Sequence, residues 1–258
     1  HSLDRRQRQM CIRDSFYASC ERVFNPNLQG KPLAILSNND GCVIARSDEV
    51  KSLGLPMGAP AFKYKQFFIN HKVHVHSSNY PLYGDMSRRV MRILERFTPD
   101  VEVYSIDEAF LKFDGFENYD LESYGHEIRR TVLKWTGIPT CVGIAPTKAL
   151  SKIANKIARK FPKKTGGVYI IDNELKHLKA LKWTPIEKVW GIGYSLQKHL
   201  IKSQCKTAYD FVQLSDLWVR QSLSITQWKL KKDLEISMMN AGSGLKDSIK
   251  QKKNIKSS

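Results

Sequence analysis

The chain has 258 residues, 41% of them apolar, and a formal net charge of +17. That length holds one large domain or two smaller ones, and the apolar fraction supplies a core, which excludes a fibrous or wholly disordered protein. The charge calls for a polyanionic partner, and since no apolar run reaches a membrane span and no signal segment opens the chain, nucleic acid is favoured over an acidic membrane surface.

In chain order, residues 16–24 read as a short helix with Phe16, Cys20, Val23 and Phe24 near one face, ended by Asn25-Pro26. Residues 33–36 and 42–45 read as strands around the turn Asn38-Asn39-Asp40-Gly41, followed by a helix near 47–53 that stops at Gly54. Residues 73–77 form another strand, and a helix over 80–97 carries Met86, Val90, Met91 and Leu94 at helical spacing. Two apolar runs, 101–106 and 109–113, flank the adjacent acids Asp107 and Glu108. A helix at 121–135, a strand at 140–144 and a helix at 147–161 complete the clear pattern. Alternation mixed with hairpins predicts an α+β fold with a mixed sheet, and no internal repeat is present. Cys11, Cys20, Cys42, Cys141 and Cys205 are scattered without a Cys-x-x-Cys pair, which points to a reduced, cytoplasmic setting rather than a disulfide framework or a zinc ribbon.

Neighbouring side chains in a regular strand face opposite ways, so Asp107 and Glu108 can serve one site only at a bend or strand end. Fixed carboxylates there suit Mg²⁺; an isolated acidic pair is more often a solvated hairpin tip. The 147–161 helix places Leu150, Ile153, Ala154, Ile157, Ala158 and Phe161 on one stripe. Lys148, Lys152, Lys156 and Lys160 recur every four residues on another. Without an interleaved acid such a row repels itself, and a phosphate backbone alongside would offset that; a solvated surface is the plainer reading. Gly191-Ile192-Gly193 precedes a helix with Leu196, Leu200 and Ile201. No apolar strand precedes it, so a dinucleotide fold is disfavoured against a helix-hairpin-helix turn whose backbone amides meet a DNA phosphate, with Lys198 and Lys202 following. His71, His74 and His76 lack a cysteine to complete a zinc set and read as strand surface.

Several ordered blocks resemble the Y-family translesion DNA polymerases, nearest the UmuC-like branch of bacterial SOS repair. They are residues 16–21 (Phe-Tyr-Ala-Ser-Cys-Glu), 36–46, 78–80 (Ser-Asn-Tyr), 104–110 (Tyr-Ser-Ile-Asp-Glu-Ala-Phe), 142–145 with Thr147-Lys148, and 189–193 (Val-Trp-Gly-Ile-Gly). The resemblance implies a right-hand polymerase: a palm over 1–170 (mixed sheet, helices on one face), fingers inserted at about 25–77, a helix-hairpin-helix thumb over 171–235, and a basic, disordered tail at 236–258. The family's little-finger domain is expected to be absent. It implies DNA-directed DNA synthesis past lesions, with two Mg²⁺ ions, primer-template DNA and deoxynucleoside triphosphates. A UmuD-like subunit, a recombinase filament and a sliding clamp are the further partners implied, on the nucleoid. By resemblance Asp107 and Glu108 are the catalytic metal ligands, and Tyr17 beside Phe16 is the gate against a ribose 2′ hydroxyl. Arg46, Lys51 and Lys160 align with positions near the incoming triphosphate or the nascent base pair, and Gly191, Gly193 and Lys198 grip DNA.

The first strand departs from the family. Aligned through Ser15-Phe16-Tyr17, Ile12 stands where the family has a third metal carboxylate. Asp14, the nearest acid, is displaced by about 6–7 Å along a strand, too far to substitute without rebuilding the backbone. Residues 5–10 are expected to replace an apolar strand with charge, and the first fourteen or so to be foreign to the native gene. A crippled metal site follows, and a non-catalytic DNA-binding remnant is the alternative. A nucleotide cyclase, a third reading, needs neither Tyr17 nor the glycine hairpin.

Overall fold

The computed structural model describes residues 7–12, 15–116 and 118–236, the first stretch by its backbone alone. Asp14 and residues 237–258 lie outside the described residues, so the displaced-ligand and disordered-tail expectations fall there too. Strand β1 (Gln7–Ile12) and helix α1 (Phe16–Phe24) open the fold. A small unit follows: β2 (Leu33–Leu36), β3 (Val43–Arg46), α2 (Asp48–Ser52), α3 (Lys65–Asn70) and β4 (His74–Ser77). Then come α4 (Tyr80–Leu94), the hairpin β5 (Val101–Ser105) and β6 (Glu108–Lys112), α5 (Leu121–Thr136), β7 (Thr140–Ala145), α6 (Lys148–Lys160), α7 (Pro162–Thr165) and β8 (Val168–Ile170). The rest is helical: α8 (Glu174–Trp183), α9 (Tyr194–Lys202), α10 (Ala208–Gln213), α11 (Asp216–Ser222) and α12 (Ile225–Glu235).

Among the described residues the strands form a mixed five-stranded sheet, β5-β6-β1-β7-β8, and a three-stranded sheet, β3-β2-β4. The first corrects the reading of the charged leader. β1 pairs antiparallel with β6 from Gln7↔Lys112 to Cys11↔Glu108 and with β7 from Gln7↔Ala145 to Ile12↔Thr140. Ladder bonds are made by the backbone, and without a strand in that slot β6 and β7 would each leave a row of N–H and C=O groups unpaired. Charge in the sequence did not prevent a central strand.

Helices cover the sheet on both faces rather than one. Val142 and Ile144 of β7 point toward Gly125 of α5, while Gly143 between them faces Ser151 and Asn155 of α6. A Cβ at Gly143 would sit 2.2 Å from the Asn155 backbone nitrogen, so only glycine lets α6 lie this close. Thr147 caps α6 by accepting from the Leu150 amide at 3.3 Å and also donates to the Asp233 carbonyl of α12 at 2.9 Å.

Three buried clusters result. One lies between the larger sheet and α1, α4 and α5, built on Phe16, Tyr83, Met86, Leu111, Ile128 and Ile144. A second joins the apolar stripe of α6 to α8, α9, α10 and α12 through Leu150, Ile153, Leu181, Leu200, Phe211 and Leu234. The third sits in the small sheet, around Ala34, Leu36, Val43, Val50 and Leu55.

Candidate active site

The acidic pair sits at the β5–β6 turn. Ile106 and Asp107 form the turn, Glu108 opens β6 opposite Ser105, and the register shifts between Val103 and Ser105. That irregularity is the relaxed alternation the sequence required. Asp107 is held locally: its Oδ1 accepts from the Ser105 hydroxyl at 2.7 Å. Glu108 is held from across the fold, its Oε2 lying 2.7 Å from Lys152 Nζ.

Lys152 is buried in a box of rings. Its Nζ lies 4.3 Å from the ring centre of Tyr104, 4.9 Å from Trp190 and 5.8 Å from Phe110. Trp190 Nε1 donates to the Tyr104 hydroxyl at 3.1 Å, tying the segment before α9 to β5. One turn earlier, Lys148 pairs with Glu102 at 2.7 Å. One turn later, Lys156 donates to the Lys188 carbonyl. The lysine row is therefore not without acids; they come from the facing hairpin. Only Lys160, exposed at the end of α6, has no hydrogen bond or ion pair among the described residues.

Tyr17 projects from α1 into an aromatic layer. It stacks on Tyr83 at 4.2 Å between ring centres with 11° between planes, and Tyr80 meets it edge-on at 6.0 Å. The fully buried Tyr83 donates to Glu21 Oε1 at 2.7 Å. Burial raises the Tyr17 phenol above its usual range, and the charges of Tyr80 and Asp107 add to this, which places the phenol and the Asp107 carboxylate in one neighbourhood. Phe16 does not reach that surface: it is 2% exposed and belongs to the core.

The small sheet carries two further expected residues. Arg46 ends β3, donates through Nη1 to the Leu55 carbonyl, and keeps a buried Nε with no partner among the described residues. Lys51 lies on α2, 3.2 Å from Asp48. At the hairpin, Gly191 has φ +90°, a conformation that favours glycine. Gly193 caps α9, with open space where a Cβ would stand. Lys198 lies over the exposed Tyr194 ring at 4.4 Å. His76 faces Glu21 at 3.7 Å and His71 packs on Phe67 at 4.4 Å, so neither serves a zinc set. Sequence reasoning did not name Tyr83, and it named Lys152, Trp190 and Glu21 only within the lysine row and the family blocks, without their contacts; the aromatic residues flanking Asp107-Glu108 and Gly191 were the available signal.

Magnesium takes hard oxygen ligands, commonly one or two carboxylates together with substrate phosphates. Asp107 and Glu108 fit one such ion. Among the described residues no group of three or more His, Cys, Asp or Glu could hold a metal, and position 12 is isoleucine. No helix of the described residues is long and apolar enough to cross a membrane.

Residues 12–156 match the model of the IMS family, impB/mucB/samB. The protein UmuC of Salmonella typhimurium (strain LT2) is 46% identical over 226 residues, covering 87% of this chain and 54% of that protein. A DNA polymerase IV 2 of Mesorhizobium japonicum is 32% identical over 198 residues, covering 75% of this chain and 45% of the relative. The chain thus spans about half the length of the curated relatives it matches. Among solved structures, an insertion ternary complex of Dbh DNA polymerase superposes with a TM-score of 0.75 at 26% identity, covering 93% of this chain and 69% of that one. The Sulfolobus solfataricus DinB structure, at 24% identity and TM-score 0.73, shares the fold. By the family model and the relatives that it matches, the chain belongs to the impB/mucB/samB family, the UmuC-like branch of the Y-family polymerases.

Proposed function

We propose that this chain carries the palm, fingers and thumb of a DNA-directed DNA polymerase of translesion synthesis and DNA repair, adding a deoxynucleotide to a primer 3′ end. In this reading the five-stranded sheet with α1, α4, α5 and α6 is the palm (within 1–170), the small sheet within 25–77 is the fingers, and the helices within 171–235 are the thumb. The two separate sheets support the division of palm from fingers, and the all-helical run after β8 supports the thumb. The observation that carries the reading is the Asp107-Glu108 turn beside Tyr17, with a lysine-bearing helix against it.

Asp107 and Glu108 would hold magnesium against the incoming phosphates. When bound, that ion would polarise the phosphate and favour ionisation of the 3′ hydroxyl. Tyr17, stiffened by Tyr83 and Tyr80, excludes a sugar 2′ hydroxyl by occupying its space. Arg46, Lys51 and Lys160 neutralise the triphosphate. The amide at Gly193 and the ammonium of Lys198 hold a duplex phosphate at the start of α9. The partners are primer-template DNA and deoxynucleoside triphosphates, with a UmuD-like subunit, a recombinase filament and a sliding clamp as further ones, in the cytoplasm on the nucleoid. Ile12 favours a second reading, a DNA-binding form without chemistry.

Single-nucleotide insertion with Mg²⁺ separates the two. Ile12→Asp is expected to raise insertion, and Asp107→Asn in that background to lower it about a hundredfold or more. Insertion untouched by Asp107→Asn would remove the acidic turn from the mechanism. Failure of Ile12→Asp to raise insertion, with DNA binding intact, would leave the second reading.

A further inference from the structure

Lys152 stands out because the environment holds an ammonium against the very carboxylate assigned to a cation. Its side chain is 9% exposed and its Nζ lies 2.7 Å from Glu108 Oε2. The negative faces of Tyr104, Trp190 and Phe110 surround it, and the Trp190–Tyr104 hydrogen bond at 3.1 Å closes the box. The lysines one turn away are engaged elsewhere, Lys148 by Glu102 and Lys156 by the Lys188 carbonyl. Lys152 is therefore fixed beside Glu108, and the burial of its side chain leaves its charge poorly screened.

Two cations that share one carboxylate repel each other. A bare divalent ion arriving at Glu108 meets the Lys152 ammonium with, among the described residues, the Asp107 and Glu108 charges to hold it. The same ion bound to a nucleoside triphosphate arrives within a net anion, which the ammonium attracts. We propose that Lys152 is a specificity-determining residue of this site, discriminating against bare divalent cations and favouring the metal–nucleotide complex. The inference rests on Asp107 and Glu108 being the cation ligands. It assigns Lys152 a role in what the site admits, distinct from holding the phosphates directly.

The test measures Mn²⁺ binding by electron paramagnetic resonance, first with Mn²⁺ alone and then with Mn²⁺ plus a deoxynucleoside triphosphate, with no DNA present. Lys152→Met fills the box without charge, and Lys152→Gln keeps a donor toward Glu108 without charge. Both are expected to bind bare Mn²⁺ about tenfold or more tightly than the parent, since tenfold corresponds to only about 1.4 kcal/mol of relieved repulsion. Lys152→Arg keeps the charge and should match the parent. With nucleotide present the advantage of the neutral variants should vanish or reverse. Circular dichroism confirms that each variant is folded; if Lys152→Met is not, Lys152→Gln against Lys152→Arg decides. Unchanged or weaker bare Mn²⁺ binding in the folded neutral variants overturns the inference. The double variant Asp107→Asn/Glu108→Gln separates its failure from that of the reading beneath it. If the double variant loses Mn²⁺ while the Lys152 variants match the parent, the role of Lys152 alone is wrong. If the double variant binds as the parent does, or nothing binds in any variant, the carboxylates are not a cation site and both readings fall.

Discussion

At the scale of single residues, α6 shows how one charge type takes different states on one helix. Lys156 sits one turn beyond Lys152, with burial as the largest influence and the charges of Arg159, Lys152 and Lys188 adding to it, and its pKa falls from 10.5 to about 8. Glu108 opposes the shift without cancelling it. A lysine whose folded pKa is depressed costs stability wherever the folded state must hold the proton, so the cost is fully present below about 8. Between about 8 and 10.5 the unfolded chain holds a proton that the folded chain has released, so stability rises with pH over that window. Relative to Lys156→Met, the parent should therefore gain stability from pH 8 to 10.5, read as the difference in urea midpoints. A flat difference would show that the amine is solvated in solution. A second residue-scale case is Tyr83, whose hydroxyl bonds to Glu21 at 2.7 Å and whose ring backs Tyr17. Tyr83→Phe keeps the stack and removes that bond, and should cost about 1 kcal/mol in chemical denaturation. None of this was legible in sequence. Glu21 and Tyr83 lie 62 positions apart, and nothing local marks the pair.

At the scale of elements, the legible features were those with a local cause. The apolar stripe of α6 recurs along one helix, and residues 147–161 were read within a residue of the observed ends. The strand break at Asp107-Glu108 followed from the need to bring two neighbouring acids to one site, and the turn with its register shift supplies it. The partners of the lysines were not legible, because Glu102 and Glu108 lie 46 and 44 positions before Lys148 and Lys152. A row that looks self-repelling along its own helix is compensated by the β5–β6 hairpin that faces it. The seat of that helix on β7 depends on Gly143. An added methyl would meet backbone atoms, Asn155 N at 2.2 Å and Ser151 O at 2.3 Å, which cannot rotate away as a side-chain tip can. Gly143→Ala should push α6 off β7 and cost about 3 kcal/mol or more, at the upper end for overpacking. Lys152 would move with the helix away from Glu108, so the shift should appear as a lower melting temperature and as tighter binding of bare Mn²⁺. A variant as stable as the parent would mean that α6 has room to slide along the sheet.

At the scale of the whole molecule, the formal +17 overstates the positive charge offered to a partner. Lys148 and Lys152 are spent on Glu102 and Glu108. Lys231 has a side chain only 4% exposed, 2.8 Å from Asp216 and paired with Glu235, and Lys232 bridges the same two acids. That network draws the Asp216 carboxyl well below its usual range, through its bonds to Lys231 and Lys232. It fastens α11 to α12 rather than facing a ligand. By contrast Lys198, among the described residues, reaches only an exposed ring, and it follows the glycine cap of α9. The basic composition calls for a polyanion, and which lysines would serve one depends on how α8 to α12 pack. Those helices run from six to eleven residues, too short for a clear periodic face. The distinction can be measured in the salt dependence of DNA binding. Removing one phosphate-binding cation lowers the slope of log affinity against log salt by about one unit. Lys198→Ala should therefore flatten the slope by about one and weaken binding across all sequences, with the melting temperature unchanged. Lys231→Met should do the reverse, leaving the slope as it is while its acid partners lose their counter-charge, at about 1 kcal/mol of stability given how exposed those acids are. Equal flattening by both substitutions would mean that the α11–α12 network opens onto DNA, and the division between structural and binding lysines drawn from the fold would be wrong.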